Sequence, residues 1–324
     1  MRHTDKVRAA VEARHDHSPN TLSWRRCVVL HSLDPEQRSE TPVVDARAMH
    51  AARDRTRPFI EAARPDLDRL AAAFGRAGCC LVLTDETGLI LEQRGQSADE
   101  RSFRDVGLIR GARWDEAQKG TNGIGTALAQ GRPVSVYRDQ HFLTAFADLS
   151  CATAPIRDHR GRLAGALDIS SARRDMNEAL MGVYLHAAQE AADHVEARLF
   201  RAAYPKARIV LVPGAGARQG LIALDQDDMV IGANAAARRA LSIDDAWLAA
   251  GRPASSVLDD HQRQDGDSFD AAERRTIRAA LAQAGGRVTE AAKALRISRA
   301  TLHRKIKRLQ IKKSDCLNPE TSST

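Results

Sequence analysis

The sequence predicts an α+β protein that carries a small all-α module at its C-terminal end. Short apolar runs separated by turn residues between positions 79 and 170 indicate β-strands. A helical period over residues 172–203 indicates one long amphipathic helix after the strands. From about residue 269 the chain is helical again, and residues 271–313 hold 13 lysines and arginines against two glutamates. Because this basic charge is local, it indicates a small module that contacts a polyanion.

Length and composition exclude several classes of protein. A chain of 324 residues has room for more than one domain, and 43% hydrophobic with 28% charged residues is typical of globular domains. The longest strongly apolar run, Cys79–Leu83, is far shorter than the roughly 20 residues of a membrane span. Residues 1–16 lack the apolar core of a secretory signal, so we expect a cytoplasmic protein. Five cysteines without paired spacing favour reduced thiols.

The N-terminal part is predicted to contain helices first and strands afterwards. Residues 1–20 are polar and expected to be disordered, and residues 21–65 read as helices interrupted by prolines. A further helix is expected over Pro65–Ala77, where apolar residues follow a helical period. Strands are expected at residues 79–84, 89–93, 133–137, 152–156 and 163–170.

Residues 204–268 are predicted to connect the two ends of the chain. A short apolar run at 207–212 is followed by the glycine-rich stretch 213–220. A hairpin and a helix ending at Leu241 come next, and then a polar linker containing Gly251, Pro253 and Gly266.

The C-terminal module has the layout of a helix-turn-helix. A first helix is expected over Asp270–Ala284, stopped by Gly285 and Gly286. Thr289 is predicted to cap a second helix that ends at Leu295, and Ser298 to cap a third over Arg299–Leu309. In this layout the N-terminal part of the last helix enters the major groove of DNA. The side chains expected at base edges are Arg299, Thr301, His303 and Arg304, and those expected at phosphates are Ser298, Lys305, Lys307, Arg308 and Lys312.

The same residues carry a resemblance to a known family. Gly285–Ile311 resembles the Fis-type helix-turn-helix, with the double glycine, Ala291-Ala292, Ile297-Ser298-Arg299, Thr301-Leu302 and Arg304-Lys305 in the places where that family has them. His303 departs from the family's usual Tyr or Arg. The resemblance implies binding to double-stranded DNA, and pairing of two copies through their first helices.

The N-terminal half resembles the GAF sensor domain of acetoin-catabolism-type regulators. The residues that carry this resemblance are Trp114–Leu128, Pro133-Val134, His141-Phe142, Leu149–Ile156 and Leu163–Ser170. Upstream, Ser23–Cys27 and Leu33–Pro35 match the N-terminal helical region of these regulators, and Leu221–Leu241 looks like the opening of a PAS domain. The resemblance therefore divides the chain into a disordered N-terminus (1–20), a helical lead-in with a GAF sensor (21–203), a partly PAS-like linker (204–268), the helix-turn-helix (269–313) and a disordered tail (314–324).

One departure from this family concerns ATP. Full-length members place an ATPase domain before the helix-turn-helix and with it remodel the sigma-54-type polymerase. The phosphate loop G-x-x-x-x-G-K-[ST] occurs nowhere in this sequence, and the interval from Pro213 to Phe269 is short for such a domain. We therefore expect no ATP-driven activation by this chain, no catalytic residues and no cofactor.

The sensor half is expected to bind a small-molecule effector, such as a small alcohol, ketone or aldehyde. The candidates for lining its pocket are Trp114, His141, Phe142 and Cys151, for which core packing is the alternative. The cysteines lack metal-ligand spacing, so no metal site is predicted.

The sequence thus predicts a cytoplasmic, homodimeric, effector-responsive transcription regulator that is not an enzyme. Two other classes stay open: an architectural DNA-binding protein whose GAF part is a dimerisation scaffold, and an enzyme or redox protein built on the thiols.

Overall fold

The computed structural model divides the chain into two units, residues 1–252 and 253–324. In the first unit it describes residues 2–13, 18–95, 100–212 and 218–252. In the second unit it describes residues 253–256, 273, 276–277, 280–281, 284, 286–309 and 311. The predicted tail, 314–324, lies outside the described residues.

Helices and two separate sheets build the first unit. Its described helices are α1 (His3–Glu12), α2 (Pro19–Val29), α3 (Ala46–Arg55), α4 (Arg57–Phe74), α5 (Glu100–Asp105), α6 (Glu116–Lys119), α7 (Gly123–Gln130), α8 (Glu178–Ala203), α9 (Ala235–Leu241) and α10 (Asp245–Ala249). The larger sheet consists of β1 (Cys79–Asp85), β2 (Ile90–Arg94), β3 (Val134–Tyr137), β4 (Ser150–Arg157) and β5 (Leu163–Ser171). The smaller sheet consists of β6 (Arg208–Val212), β7 (Gly220–Leu224) and β8 (Val230–Ala233).

The larger sheet is antiparallel in the order β2-β1-β5-β4-β3. The predicted hairpin of β1 and β2 and the pairing of β4 with β5 are confirmed. In the register of the three central strands, Cys80 and Cys151 lie opposite Ser170 on either side. Because directly opposite residues point to the same face of a sheet, these three side chains form one row.

Both faces of this sheet are buried. Leu81 and Leu83 of β1 pack toward α4 and α8, whereas Cys80 and Val82 pack in a second cluster with Trp114. Strands covered on both faces read as continuous apolar runs, which is why β1 shows no alternation of polar and apolar residues.

The predicted disorder of residues 1–20 is wrong for its described part. Residues His3–Glu12 form α1, and Val7 is completely buried within the second cluster. His3 Nε2 donates to the Phe142 carbonyl at 3.0 Å. A polar composition did not reveal these tertiary contacts, which stabilise a helix too short to form alone.

Two predicted helix boundaries also differ from the structure. The helix expected at Pro65 begins eight residues earlier, at Arg57, and Pro65 lies exposed inside it. Burial of its apolar face offsets the backbone hydrogen bond that an internal proline removes. The long helix expected from residue 172 begins at Glu178, because β5 continues to Ser171 and Asn177 caps the helix through a bond from Leu180 N.

The smaller sheet is antiparallel in the order β6-β7-β8 and packs on the end of α8. Phe200 of α8 is fully buried and lies in one apolar cluster with Leu221 and Ala223 of β7. Asn234 caps α9 and also holds the start of β7, since its Oδ1 accepts from Ala237 N at 2.9 Å and from Leu221 N at 3.0 Å.

In the second unit the structure describes two complete helices, α11 (Val288–Ala294) and α12 (Arg299–Arg308). Residues 273, 276–277 and 280–281, within the predicted first helix, are helical, and most of the remainder of Asp270–Ala284 lies outside the described residues. The unit has its own apolar core, which includes Ile277, Leu281, Ala291, Leu302 and Leu309.

Candidate DNA-binding and sensor sites

Helix α12 begins at the residue that the sequence predicts. The Ser298 hydroxyl accepts from Thr301 N at 3.0 Å, which satisfies one of the free amides at the helix N-terminus. The turn before it contains Arg296 in a left-handed conformation, with φ of 54°. The predicted cap at Thr289 is wrong, because α11 begins at Val288 and Thr289 lies inside it.

The inward face of α12 is confirmed. Leu302 is fully buried, Leu309 is nearly so, and Ile306 packs partly buried against the same core. At about 100° per residue, Arg304 and Lys307 lie on the side of the helix opposite Leu302.

The four residues predicted at base edges differ in their availability. Arg299, His303 and Arg304 are exposed. Thr301 is half-buried, and its Oγ1 lies 2.8 Å from Ser298 Oγ. Arg299 occupies the first position of the helix, the end that enters the groove in a helix-turn-helix.

The five residues predicted at phosphates divide into four groups. Lys307 is exposed. Lys305 and Arg308 both pair with the carboxylate of Glu273, and Ser298 uses its hydroxyl as the helix cap. Lys312 lies outside the described residues.

The four predicted pocket residues are buried in the N-terminal unit. Trp114, His141, Phe142 and Cys151 are all at most 3% exposed. Trp114 Nε1 donates to the Gly107 carbonyl at 2.9 Å, and its ring lies 4.9 Å from that of Phe146. The structure thus brings the four residues to one layer, on the α7 side of the larger sheet, as densely packed side chains.

A chain of buried polar groups crosses this layer. His141 Nδ1 donates to the Arg138 carbonyl at 2.8 Å, so Nε2 is the acceptor that faces Cys151 Sγ at 3.4 Å. Ser170 Oγ lies 3.1 Å from Cys151 Sγ and donates to Asp168 Oδ2 at 2.6 Å. Thr153 Oγ1 donates to Asp168 Oδ1 at 2.5 Å.

Gly123 packs directly against this chain of polar groups. A Cβ at Gly123 would lie 2.3 Å from Thr153 Oγ1, 2.7 Å from Cys151 Cβ and 2.9 Å from Asp168 Oδ1. The second glycine of the K-G-T-N-G-I-G run is therefore required for close packing on the sheet.

Burial disfavours the charged form of each of these groups. It lowers the pKa of His141 to about 4 and raises the pKa of the Cys151 thiol far above its usual range. It also raises the pKa of Asp168 to about 6, although two hydroxyls donate to its carboxylate. A protonated thiol beside a neutral imidazole does not provide the thiolate that a cysteine nucleophile needs.

The buried carboxyl of Asp168 should make stability depend on pH. Since its pKa is raised in the folded protein, the folded state loses stability as pH rises from about 4 to about 6 and stays lower above that. We expect Asp168→Asn to remove this loss. Between low and neutral pH the unfolding free energy of the variant, taken relative to that of wild type, should therefore rise by up to about 3 kcal/mol.

Urea unfolding of both proteins at pH 4.5 and 7.5, followed by tryptophan fluorescence, measures this shift. Asp175→Asn is the control, because that carboxylate is exposed and its pKa is lowered by Arg173. An equal stability difference between Asp168→Asn and wild type at the two pH values would contradict the prediction.

A second buried polar cluster joins α2 to α6. Arg26 Nε donates to Glu116 Oε2 at 2.6 Å and Arg26 Nη2 donates to Glu116 Oε1 at 2.8 Å. Glu116 Oε1 also accepts from Ser23 Oγ and from Thr126 Oγ1. The S-W-R-R-C run thus connects α2 to α6 within the N-terminal unit, a role that the sequence alone did not assign.

Lys119 was also missed. Its side chain is completely buried, and Nζ donates to Ser39 Oγ at 2.7 Å, to the Glu40 carbonyl at 2.7 Å and to Thr41 Oγ1 at 2.5 Å. Burial lowers its pKa to about 8. The ammonium therefore holds the irregular segment that contains residues 39–41 in place by three hydrogen bonds, and it lies 5.9 Å from the ring centroids of Trp114 and Phe146.

An open cavity of about 500 Å³ lies elsewhere, between the end of α8 and the smaller sheet. Tyr204, Lys206, Asp225, Asp227 and Ile231 are among its lining residues, and none of the four predicted pocket residues is.

The described part of the chain contains neither a membrane-spanning helix nor a metal-binding cluster. Among these residues, none of the helices is long and apolar enough to cross a membrane. Nor does this part contain a group of three or more His, Cys, Asp or Glu side chains arranged for a metal ion.

The C-terminal unit matches a known family of DNA-binding modules. Residues 268–309 match the helix-turn-helix of the bacterial regulatory proteins of the Fis family. The chain therefore carries a Fis-type helix-turn-helix, a DNA-binding module, as the sequence predicts. Residues 9–196 match the MimR N-terminal domain, and the chain belongs to the family that this domain defines.

The similar proteins include two regulators. The acetoin catabolism regulatory protein of Cupriavidus necator is 30% identical over 241 residues, which are 73% of this chain and 36% of that protein. The propane 2-monooxygenase operon transcriptional activator MimR of Mycolicibacterium smegmatis is 34% identical over 179 residues, 55% of this chain and 29% of that protein. The chain thus spans about a third of the length of these relatives. Both are named as regulators and not as enzymes, in agreement with the prediction.

Among solved structures, the E. coli DhaR(N)-DhaL complex contains a similar chain. The match has a TM-score of 0.51 and 20% identity, and it covers 74% of this chain and 81% of that one. At this identity the likeness shows the fold alone, a mixture of helices and sheet in the N-terminal unit.

Proposed function

We propose that the protein is a sequence-specific regulator of transcription that binds double-stranded DNA as a homodimer and responds to a small-molecule effector. The observation that carries the proposal is the Fis-family match at residues 268–309 together with the exposed basic face of α12. Arg299, His303 and Arg304 are assigned to base edges and Lys307 to phosphates.

In this proposal residues 21–203 act as a GAF-type sensor with a helical lead-in, and residues 204–268 as a partly PAS-like connector. An antiparallel sheet covered on both faces supports the first assignment, and the three-stranded sheet followed by α9 supports the second. Both assignments were first made from the resemblance of the sequence, and these features of the fold support them.

The effector is proposed to act on the buried layer around Cys151. The polar chain from His141 to Asp168 lies within an apolar layer, a combination typical of small-molecule sites. The relatives are named for acetoin catabolism and for a propane 2-monooxygenase operon, and acetoin is a small hydroxyketone. Small alcohols, ketones and aldehydes are therefore the compounds to screen by thermal shift.

The same proposal includes action without ATP-driven polymerase remodelling. The sequence has no phosphate loop, and the interval between the two family matches is only residues 197–267.

Dimerisation supports this function physically. A single small module buries roughly 600–1,000 Å² of protein surface on DNA, so useful specificity calls for two copies. The first helix of the helix-turn-helix module, Asp270–Ala284, is one proposed dimer interface. Helix α8 is the second, since Leu180 is 40% and Val183 is 55% exposed on its surface.

An architectural DNA-binding protein is the alternative function. A regulator must bind its effector with different affinity in its DNA-competent and DNA-incompetent states, whereas an architectural protein has no such linkage.

Two substitutions on α12 test the placement of the DNA. Arg299→Ala should cost about 1–3 kcal/mol at a specific site and relax sequence preference there, because a base-edge contact is lost. Lys307→Ala should weaken binding to all duplexes about equally and flatten the logarithmic salt dependence by about one unit, because a phosphate contact is lost.

Fluorescence anisotropy with specific and random duplexes at several salt concentrations separates the two effects. An equal, sequence-independent loss in both variants would show that the groove-facing side of α12 is misplaced.

A further inference from the structure

Two cations of α12, Lys305 and Arg308, share one acidic partner, Glu273. Glu273 Oε1 accepts from Lys305 Nζ, and Glu273 Oε2 accepts from Arg308 Nη2. The Glu273 side chain is only 14% exposed, so both of its oxygens are engaged in a sheltered position. The carboxylate thus stands between two basic side chains one turn apart, in the way a phosphate group would.

The enclosure of Glu273 distinguishes it from Glu290, the other glutamate of the module. Glu290 lies 3.4 Å from Lys293, with side chains 50% and 72% exposed, and exposed pairs of this kind contribute little. Hydrogen bonding from Lys305 lowers the pKa of Glu273, so this carboxylate stays charged throughout the neutral range. It therefore competes permanently with DNA phosphates for Lys305.

We infer that Glu273 sets the affinity of the module for DNA by withholding Lys305 from the phosphate backbone. This inference rests on the proposed DNA-binding function. Sequence-independent affinity comes from phosphate contacts, and base contacts carry the sequence information. By lowering the first without touching the second, Glu273 raises the ratio of specific to non-specific binding.

Binding of the full-length protein to a random-sequence duplex tests the inference. Replacing Glu273 by glutamine releases Lys305 to phosphate, so log affinity should fall with log salt more steeply by about one unit. At low salt Glu273→Gln should bind the random duplex several-fold more tightly than wild type. Glu290→Gln is the matched control, since it removes the same charge from the same module and should leave the slope unchanged.

The variants Lys305→Ala and Lys307→Ala, made in the wild-type background, test the inference even if Glu273→Gln does not fold. In the wild-type background Lys305→Ala should change the salt slope by much less than Lys307→Ala, because Lys305 is held by the carboxylate. In the Glu273→Gln background, verified as folded by circular dichroism, Lys305→Ala should remove the added unit of slope.

The outcomes separate this inference from the function on which it rests. Equal steepening by Glu273→Gln and Glu290→Gln would reduce the effect to net charge and overturn the inference. Equal flattening by Lys305→Ala and Lys307→Ala in the wild-type background would also overturn it, leaving DNA binding intact. Absence of salt-dependent binding by the wild-type protein would contradict the DNA-binding function itself.

Discussion

Arg26→Ala should destabilise the N-terminal unit by about 3–5 kcal/mol. Arg26 forms a bidentate pair with Glu116, which is only 5% exposed, so the substitution leaves a buried carboxylate without its cation. Removing one partner of a buried pair costs far more than the pair contributes, because the remaining charge has been taken out of water. Urea unfolding measured by tryptophan fluorescence is specific for this unit, since Trp24, Trp114 and Trp247 all lie within residues 1–252.

Arg101→Ala is the matched control for this prediction. Arg101 lies 3.9 Å from Asp105, with side chains 91% and 68% exposed, and we expect a change within about 0.5 kcal/mol. If Arg26→Ala cost no more than Arg101→Ala, the pair of Arg26 with Glu116 would not stabilise the packing of α2 on α6.

Leu302→Ala should unfold the C-terminal unit and abolish DNA binding. Leu302 is completely buried in a small core, and truncating such a leucine costs about 2–5 kcal/mol. Modules of this size have little stability to lose. The tryptophan transition of the N-terminal unit should stay at the wild-type urea concentration, while circular dichroism and anisotropy report the loss of helix and of DNA affinity.

The control for Leu302→Ala is Thr289→Ala on α11. Thr289 is exposed and lies inside the helix, so we expect a change within about 0.5 kcal/mol and normal DNA binding. Tight DNA binding by a folded Leu302→Ala protein would contradict the assignment of α12's inward face.

The helix-turn-helix was the part of the fold that the sequence predicted best. The Ser298 cap and the spacing of Leu302, Ile306 and Leu309 act within about ten residues, so they are visible in a local pattern. The Thr289 cap failed although its residue type is suitable. A cap at Thr289 would start helix α11 at Glu290, but the helix begins two residues earlier, at Val288, and buries Ala291 and Ala292.

Long-range contacts account for what the sequence did not predict. Arg26 and Glu116 are 90 residues apart, and Lys119 bonds to a segment 78–80 residues away. No periodicity marks such pairs. The four pocket candidates were selected by residue type, and residue type did not reveal that His141 and Cys151 meet in a buried polar chain.

The assignment of phosphate contacts shows the same limit. Lys305, Lys307 and Arg308 are equivalent in a charge count, yet Glu273, more than 30 residues earlier, pairs with two of them. Only Lys307 of these three lies clear of that carboxylate on the exposed side of α12. Charge in the sequence thus indicated the partner, and the fold determines which charges face it.

Selection of binding sites from a random duplex library by the full-length protein tests the central claim most directly. A dimeric, sequence-specific regulator should enrich an inverted repeat whose half-site centres lie about one helical turn, roughly 34 Å, apart. Arg299→Ala should lose this enrichment at the base pair that it contacts. Recovery of sequences indistinguishable from the starting library by a folded protein that binds DNA would contradict the account.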